Sequence, residues 1–267
     1  MLRAVKDMVG LTIAASDGDI GKVGDLYFDD EAWVVRYLVV ETGTWLSNRK
    51  VLVSPMALHE PNWDMDRLPA RLTREQVRNC PGVDTDKPVS RQHEVEFYRY
   101  YGYPYYWGSN GLWGGEYPAA QVDQERTARA VEDRRGEDPN LRSYKEVTGY
   151  HIGATDGEIG HVQGMLVDEQ SWAIRYLVAN TSNWWMGHQV LVSPEWITDV
   201  LWLERRVTID LTRQAIQDAP PYDAARALDR PEESLVYGHY GRAGYWHDGL
   251  PSPSAGRTEP NDLRSQR

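Results

Sequence analysis

The chain of 267 residues holds one cysteine, Cys80, and only 2 phenylalanines. A single thiol forms no disulfide within the chain, so packing and hydrogen bonds must hold the fold, and a reducing compartment is expected. No stretch approaches the roughly 18 consecutive apolar residues of a membrane-spanning helix, and the segment from Met1 to Asp7 has no long apolar run. The expectation is a soluble cytoplasmic protein with no transmembrane segment. Basic clusters are also missing. Lys and Arg number 29 against 40 Asp and Glu, a net charge of −11. Phosphate backbones are gripped by dense Lys and Arg patches, so this balance predicts no nucleic-acid binding and disfavours adsorption to anionic lipid. A protein partner stays open.

What is present is tyrosine and tryptophan, 16 and 11 residues. Both carry a large apolar body with a polar tip, which suits half-buried seams better than dry cores. The length fits about two domains. Placing Leu2 under Leu141 aligns the chain with itself without a gap. Asp17-Gly18 meets Asp156-Gly157, and Arg36-Tyr37-Leu38-Val39 meets Arg175-Tyr176-Leu177-Val178. Val51-Leu52-Val53-Ser54-Pro55 meets Val190-Leu191-Val192-Ser193-Pro194. The register still holds at Tyr98, Tyr101, Tyr106 and Trp107, which meet Tyr237, Tyr240, Tyr245 and Trp246. It divides the chain into a repeat with an aromatic extension (1–107), a linker (108–139), a second such repeat (140–247) and a disordered tail (248–267).

Each repeat reads as strands followed by helices. In the first, strands are expected over 9–15, 20–29, 33–41 and 50–54, with a last pair from 58–60 and 67–72. Asp17-Gly18 marks a hairpin turn, with Asp17 capping its own turn, and Gly21 and Gly24 mark bends or bulges. Residues 33–41 are apolar on both faces and predict a central, doubly covered strand. Thr73 with Gln76 forms a capping box, whereas Thr212 with Ala215 keeps only the cap. A second helix is expected over 91–101, between Ser90 and Gly102, with Pro231 and Gly241 bounding its counterpart.

The run Gly10-x-x-Ile13, Asp17-Gly18-x-Ile20-Gly21-x-Val23, Arg36 to Val40 and Leu52 to Pro55 resembles the PRC-barrel domain. That domain occurs in the cytoplasmic part of the H subunit of photosynthetic reaction centres and at the C-terminus of a ribosome-maturation factor. The resemblance implies a mainly β fold of two tandem, small, strongly bent antiparallel barrels, each followed by short helices. It also implies a role in binding protein partners.

No residue pattern points to catalysis, a metal or a cofactor. The histidines show no ligand spacing; His161 and His188 stand where the first repeat has Lys22 and Arg49, as solvated basic positions do. The Asp17-Gly18 turn lacks the carboxylates of a calcium loop. Ser54 and Ser193 precede proline, which a nucleophile elbow does not tolerate. Glu41 becomes Asn180 and Asp25 becomes Gly164, so neither acid repeats. Arg36 and Arg175 fit either a partner contact or a packed stem whose head meets a carboxylate; the second is favoured. The aromatic extensions fit docking, ligand stacking or an external interface. The sharpest expectation is an intramolecular pseudo-dimer with Tyr98, Tyr101, Tyr106 and Trp107 against Tyr237, Tyr240, Tyr245 and Trp246 as candidate interface. The function expected is a non-enzymatic scaffold contacting an unknown protein partner. A photosynthesis-linked assembly or electron-transfer accessory, and an enzyme with a site between the repeats, are the alternatives.

Overall fold

The computed structural model describes residues 1–83, 89–107, 140–181 and 188–246. The linker and tail expected from sequence lie outside these residues. The first half runs β1 (Leu2–Ala4), α1 (Val5–Met8), β2 (Thr12–Ala15), β3 (Gly18–Asp29), β4 (Val34–Glu41), β5 (Lys50–Val53), β6 (Arg67–Pro69), α2 (Arg74–Asn79) and α3 (Arg91–Tyr101). The second runs β7 (Leu141–Ser143), α4 (Tyr144–Val147), β8 (His151–Ala154), β9 (Gly157–Asp168), β10 (Ile174–Asn180), β11 (Gln189–Val192), β12 (Ile197–Leu201), β13 (Arg206–Ile209), α5 (Arg213–Gln217) and α6 (Arg230–His239). The strands form two sheets, ordered β5-β4-β3-β2-β6 and β11-β10-β9-β8-β13-β12.

The fold is mainly β, but its sheets are mixed rather than wholly antiparallel. β6 lies parallel to β2, and β13 parallel to β8. The pairings run as an open path and do not close into a ring. The loop after β5 carries the chain back to β2, and β6 enters beside it in the same direction. In the second half β12 and β13 form a ladder. In the first, the expected pair shrinks to two bridges, Leu58 with Ala70 and Asn62 with Arg67. Pro61 and Pro69, which stand where the second half has Val200 and Thr208, supply no backbone donor there.

Local sequence explains most boundaries. The β2–β3 hairpin turns at Gly18, whose φ of 136° favours glycine. Asp17 does not cap this turn; its carboxylate accepts the Arg74 amide at 2.8 Å, tying the hairpin to the start of α2. The capping box of Thr73 and Gln76 is formed, and Thr212 caps alone. Ser90 caps α3, and Gly102 ends it with φ 70°. Gly24 falls at a bulge between β3 and β4. A side chain on Gly21 would collide with the Glu41 carbonyl, so the β3 backbone passes β4 there only as glycine. β4 is buried along its length up to Glu41. A second bulge, at Arg36, shifts its alternation: Val35, Leu38 and Val40 face the main core, while Tyr37 and Val39 face the aromatic cluster. The expected 9–15 strand shortens to Thr12–Ala15, because the chain before it forms α1.

The halves exchange their first strands. β1 pairs with β9 of the other half, Leu2 opposite Asp168 and Ala4 opposite Leu166. β7 returns the exchange on β3, Leu141 opposite Asp29 and Ser143 opposite Tyr27. Arg3 reaches Glu169 at 3.0 Å and lies 4.1 Å over the Trp63 ring. Arg142 repeats this with Asp30 at 2.9 Å and Trp202 at 4.5 Å. The two β-turns also cross. Trp33 accepts the Ile174 amide at 2.7 Å, and Trp172 accepts the Val35 amide at 2.9 Å. Both tryptophans sit in the left-handed region, at φ 54° and 58°, which costs a bulky residue about 1–2 kcal/mol. The core is continuous across the seam: Val5, Met8 and Phe28 belong to one cluster with Tyr144, Val147 and Leu166.

Candidate functional site

The most unusual chemistry lies under the aromatic extensions. Glu94, on α3, is wholly buried. Its Oε1 accepts the Tyr37 hydroxyl from β4 at 2.9 Å and the Tyr106 hydroxyl from the extension at 2.8 Å. Its Oε2 meets Arg91 Nη1 at 2.7 Å. Arg36 lies 3.9 Å over the Tyr106 ring and pairs with Asp29 at 3.1 Å. The second half builds the same cluster. Glu233 Oε2 accepts Tyr176 at 2.9 Å and Tyr245 at 2.8 Å, while its Oε1 meets Arg230 at 3.0 Å. Arg175 lies 4.1 Å over the Tyr245 ring.

Helix spacing explains the geometry. Arg91 and Glu94 are three residues apart on α3 and share a face. Gly102 lets the chain turn back, which brings Tyr106 onto that face. Removing a carboxylate from water disfavours its charge, and this pushes Glu94 up to about 7; Arg91 and the two hydroxyls pull the other way. Burial beside Glu94 drives Tyr37 and Tyr106 well above the ordinary tyrosine range, so both remain hydroxyl donors. Desolvation and the Glu233 contact raise Tyr245 to about 12. Each glutamate thus has three donors. A carboxylate so engaged and so enclosed serves as a clasp that fastens the extension to the sheet, at β4 in the first half and β10 in the second.

The eight aromatic residues read from sequence as a seam between the halves are gathered four by four, each group on its own half. Tyr98 packs against Tyr37, Tyr106 and Trp107, and Tyr101 packs against Phe97. Tyr237 packs against Tyr176, Tyr245 and Trp246, and Tyr240 packs 4.7 Å from Trp196. Among the described ring contacts none joins the two groups. The surface that joins the halves is instead the exchanged pair β1 and β7; from it Leu141 touches the first aromatic cluster. At Tyr106 and Tyr245 the physical reason is hydroxyl chemistry: each donates to the buried glutamate of its own half, Glu94 or Glu233.

Sequence reasoning missed these glutamates. The signal was available, since Glu94, Arg91 and Tyr37 meet Glu233, Arg230 and Tyr176 in the same register as the aromatics. The other candidates are structural. Ser54 and Ser193 are buried and cap the turns that follow their strands. Arg36 packs its stem and pairs its head with a carboxylate. Among the described residues no cluster of three His, Cys, Asp or Glu is placed to hold a metal, and no helix is long and apolar enough to cross a membrane. A shallow depression beside α5, lined by Asp156, Arg213, Gln214 and Gln217, contains no buried reactive group.

Residues 2–60 match the family model of the PRC-barrel domain, a span from β1 through β5 and into the following loop. No curated protein matches the chain.

Proposed function

We propose that the protein is a non-catalytic scaffold of two PRC-type β units, the unmatched second half being of the same type as the first, and that it works by contacting other proteins. The PRC-barrel match supports an interaction role in general terms. The observation that carries the reading is the reciprocal strand exchange, which fixes two equivalent sets of surface turns in one body. The turns before β6 and β13 each hold out an apolar side chain, Met65 and Leu203, the latter with no burial at all. Beside them Trp63 and Trp202 are anchored under Arg3 and Arg142. In this reading the exposed Met65 and Leu203, each next to an anchored tryptophan, form the surface that meets the partner.

The test is affinity purification of the full chain from its native cell, compared with a Met65→Asp/Leu203→Asp variant. A stoichiometric protein partner that the wild type retains and the variant loses supports the scaffold. A full chain that recovers no stoichiometric protein, or a variant that holds the partner equally well, overturns it.

A further inference from the structure

We infer that the seam between the halves is directional: the strand-accepting edge of β3 is built for the second half's Leu141–Lys145 segment and not for the similar Leu2–Lys6, so the partner that fits either half is the opposite half, from the same chain or from a second copy. Most seam contacts do not discriminate. Both donor segments begin Leu-Arg. Each acceptor edge offers that arginine an acid, Glu169 or Asp30, while a tryptophan of the arginine's own half, Trp63 or Trp202, lies under it. On these contacts alone, each half would pair with its own copy as readily as with its twin.

Asp25 breaks the equivalence. Its Oδ2 accepts the Ser143 hydroxyl at 2.5 Å, and its Oδ1 accepts the Lys145 amide at 3.2 Å and the Leu26 amide at 2.8 Å. Burial pushes the carboxyl up, and these donors hold it down. Ser143 also accepts the Glu146 amide at 3.1 Å, so one hydroxyl starts α4 and satisfies Asp25. In the repeat register Asp25 corresponds to Gly164, and Ser143 to Ala4. The crossing on the other side of the seam therefore joins a glycine to an alanine, and neither side chain needs a polar partner.

Opposite halves make one Asp25–Ser143 bond and leave nothing unpaired. Two first halves would set Asp25 against Ala4 twice, burying two carboxylates that have lost their hydroxyl donor. Two second halves would set Ser143 against Gly164 twice and make no such bond. A hydrogen bond to a charged group is worth about tenfold or more in an equilibrium, and a buried group stripped of its donor loses at least as much. Exchanging two opposite pairs for one like pair of each half loses both bonds, about 100-fold in that equilibrium, which sets first-half like pairs about tenfold below their statistical ratio to opposite pairs.

The experiment uses the full chain with a protease site inserted between Gly114 and Gly115 and cut after folding. Unlabelled and 15N-labelled samples are mixed, unfolded in urea, refolded together and weighed by native mass spectrometry. The expected species is one first half with one second half, isotopically scrambled, with first-half like pairs at about 1 in 20 or below. Like pairs at statistical abundance, or halves that stay apart, would overturn the inference. Asp25→Gly gives β3 the residue that β9 carries, and with it first-half like pairs should rise about fivefold, to their statistical share of roughly 1 in 4. Their continued absence in that variant would remove Asp25 as the cause.

Discussion

The two glutamate clasps use the same four residues, a glutamate, an arginine and two tyrosines, at the same spacing, yet they are set at different depths. In the first, the Arg91 side chain is 12% exposed, whereas Arg230 in the second is 49% exposed. Tyr106 is buried and Tyr245 only partly so. The difference comes from the rings around them. The first extension adds Phe97, Tyr103 and Tyr105, where the second has Val236, Arg242 and Gly244. Gly244 is not free to gain a ring, because any side chain there would run into Trp246. One polar motif is thus a sealed clasp in one half and a partly wetted one in the other, and packing beyond its hydrogen bonds sets the strength.

The largest expected effect probes this contrast. Glu94→Ala leaves Arg91 and two tyrosine hydroxyls buried without their acceptor, and should cost about 3–5 kcal/mol in urea unfolding. Glu233→Ala should cost about 1–2 kcal/mol, since water reaches Arg230 and part of Tyr245. Equal losses would show that burial depth does not govern the clasps. The next effect is pH dependence. The folded chain holds the Glu94 proton more tightly than an unfolded one, with a value near 7 against an ordinary 4.5. Its contribution to stability is therefore greatest below about 4.5 and is lost as pH rises through about 7. Wild type minus Glu94→Gln should fall by about 3 kcal/mol across that window; a flat difference would contradict it.

The seam offers a milder contrast. Arg142 and its acid are more enclosed than Arg3 and Glu169. Arg142→Ala should lower stability by about 1–2 kcal/mol and Arg3→Ala by about 1, read from thermal melts. The smallest effect is a control. Leu235 is 66% exposed and stands where the first half has Glu96. Leu235→Glu should change stability by less than about 0.5 kcal/mol; a larger loss would mean that this face of α6 is covered.

Sequence reasoning reached the elements that local chemistry dictates. The box at Thr73, the cap at Ser90 and the stop at Gly102 are signals carried by two or three neighbouring residues, and they lie where that chemistry requires. The bulge at Arg36 was not legible, because β4 is apolar on both faces and a slipped alternation leaves no mark in its pattern. Strand exchange was less legible still. β1 and β7 are three residues each, too short for periodicity, and both begin Leu-Arg, so the sequence of the donor does not name its acceptor. The clasp was half legible: its aromatics stood out by number, while its glutamates resembled any solvated helix acid.

The account turns on which half receives each first strand, and a cross-linking pair reads this directly. In a Cys80→Ala background, Ala4→Cys is combined either with Leu166→Cys, its cross-strand partner in β9, or with Tyr27→Cys, the equivalent position in its own half's β3. Directly opposed strand positions bring Cα atoms within disulfide range. The exchanged fold predicts that the 4–166 pair oxidises within one chain and the 4–27 pair does not. A 4–27 disulfide in folded monomer, with 4–166 left reduced, would contradict it.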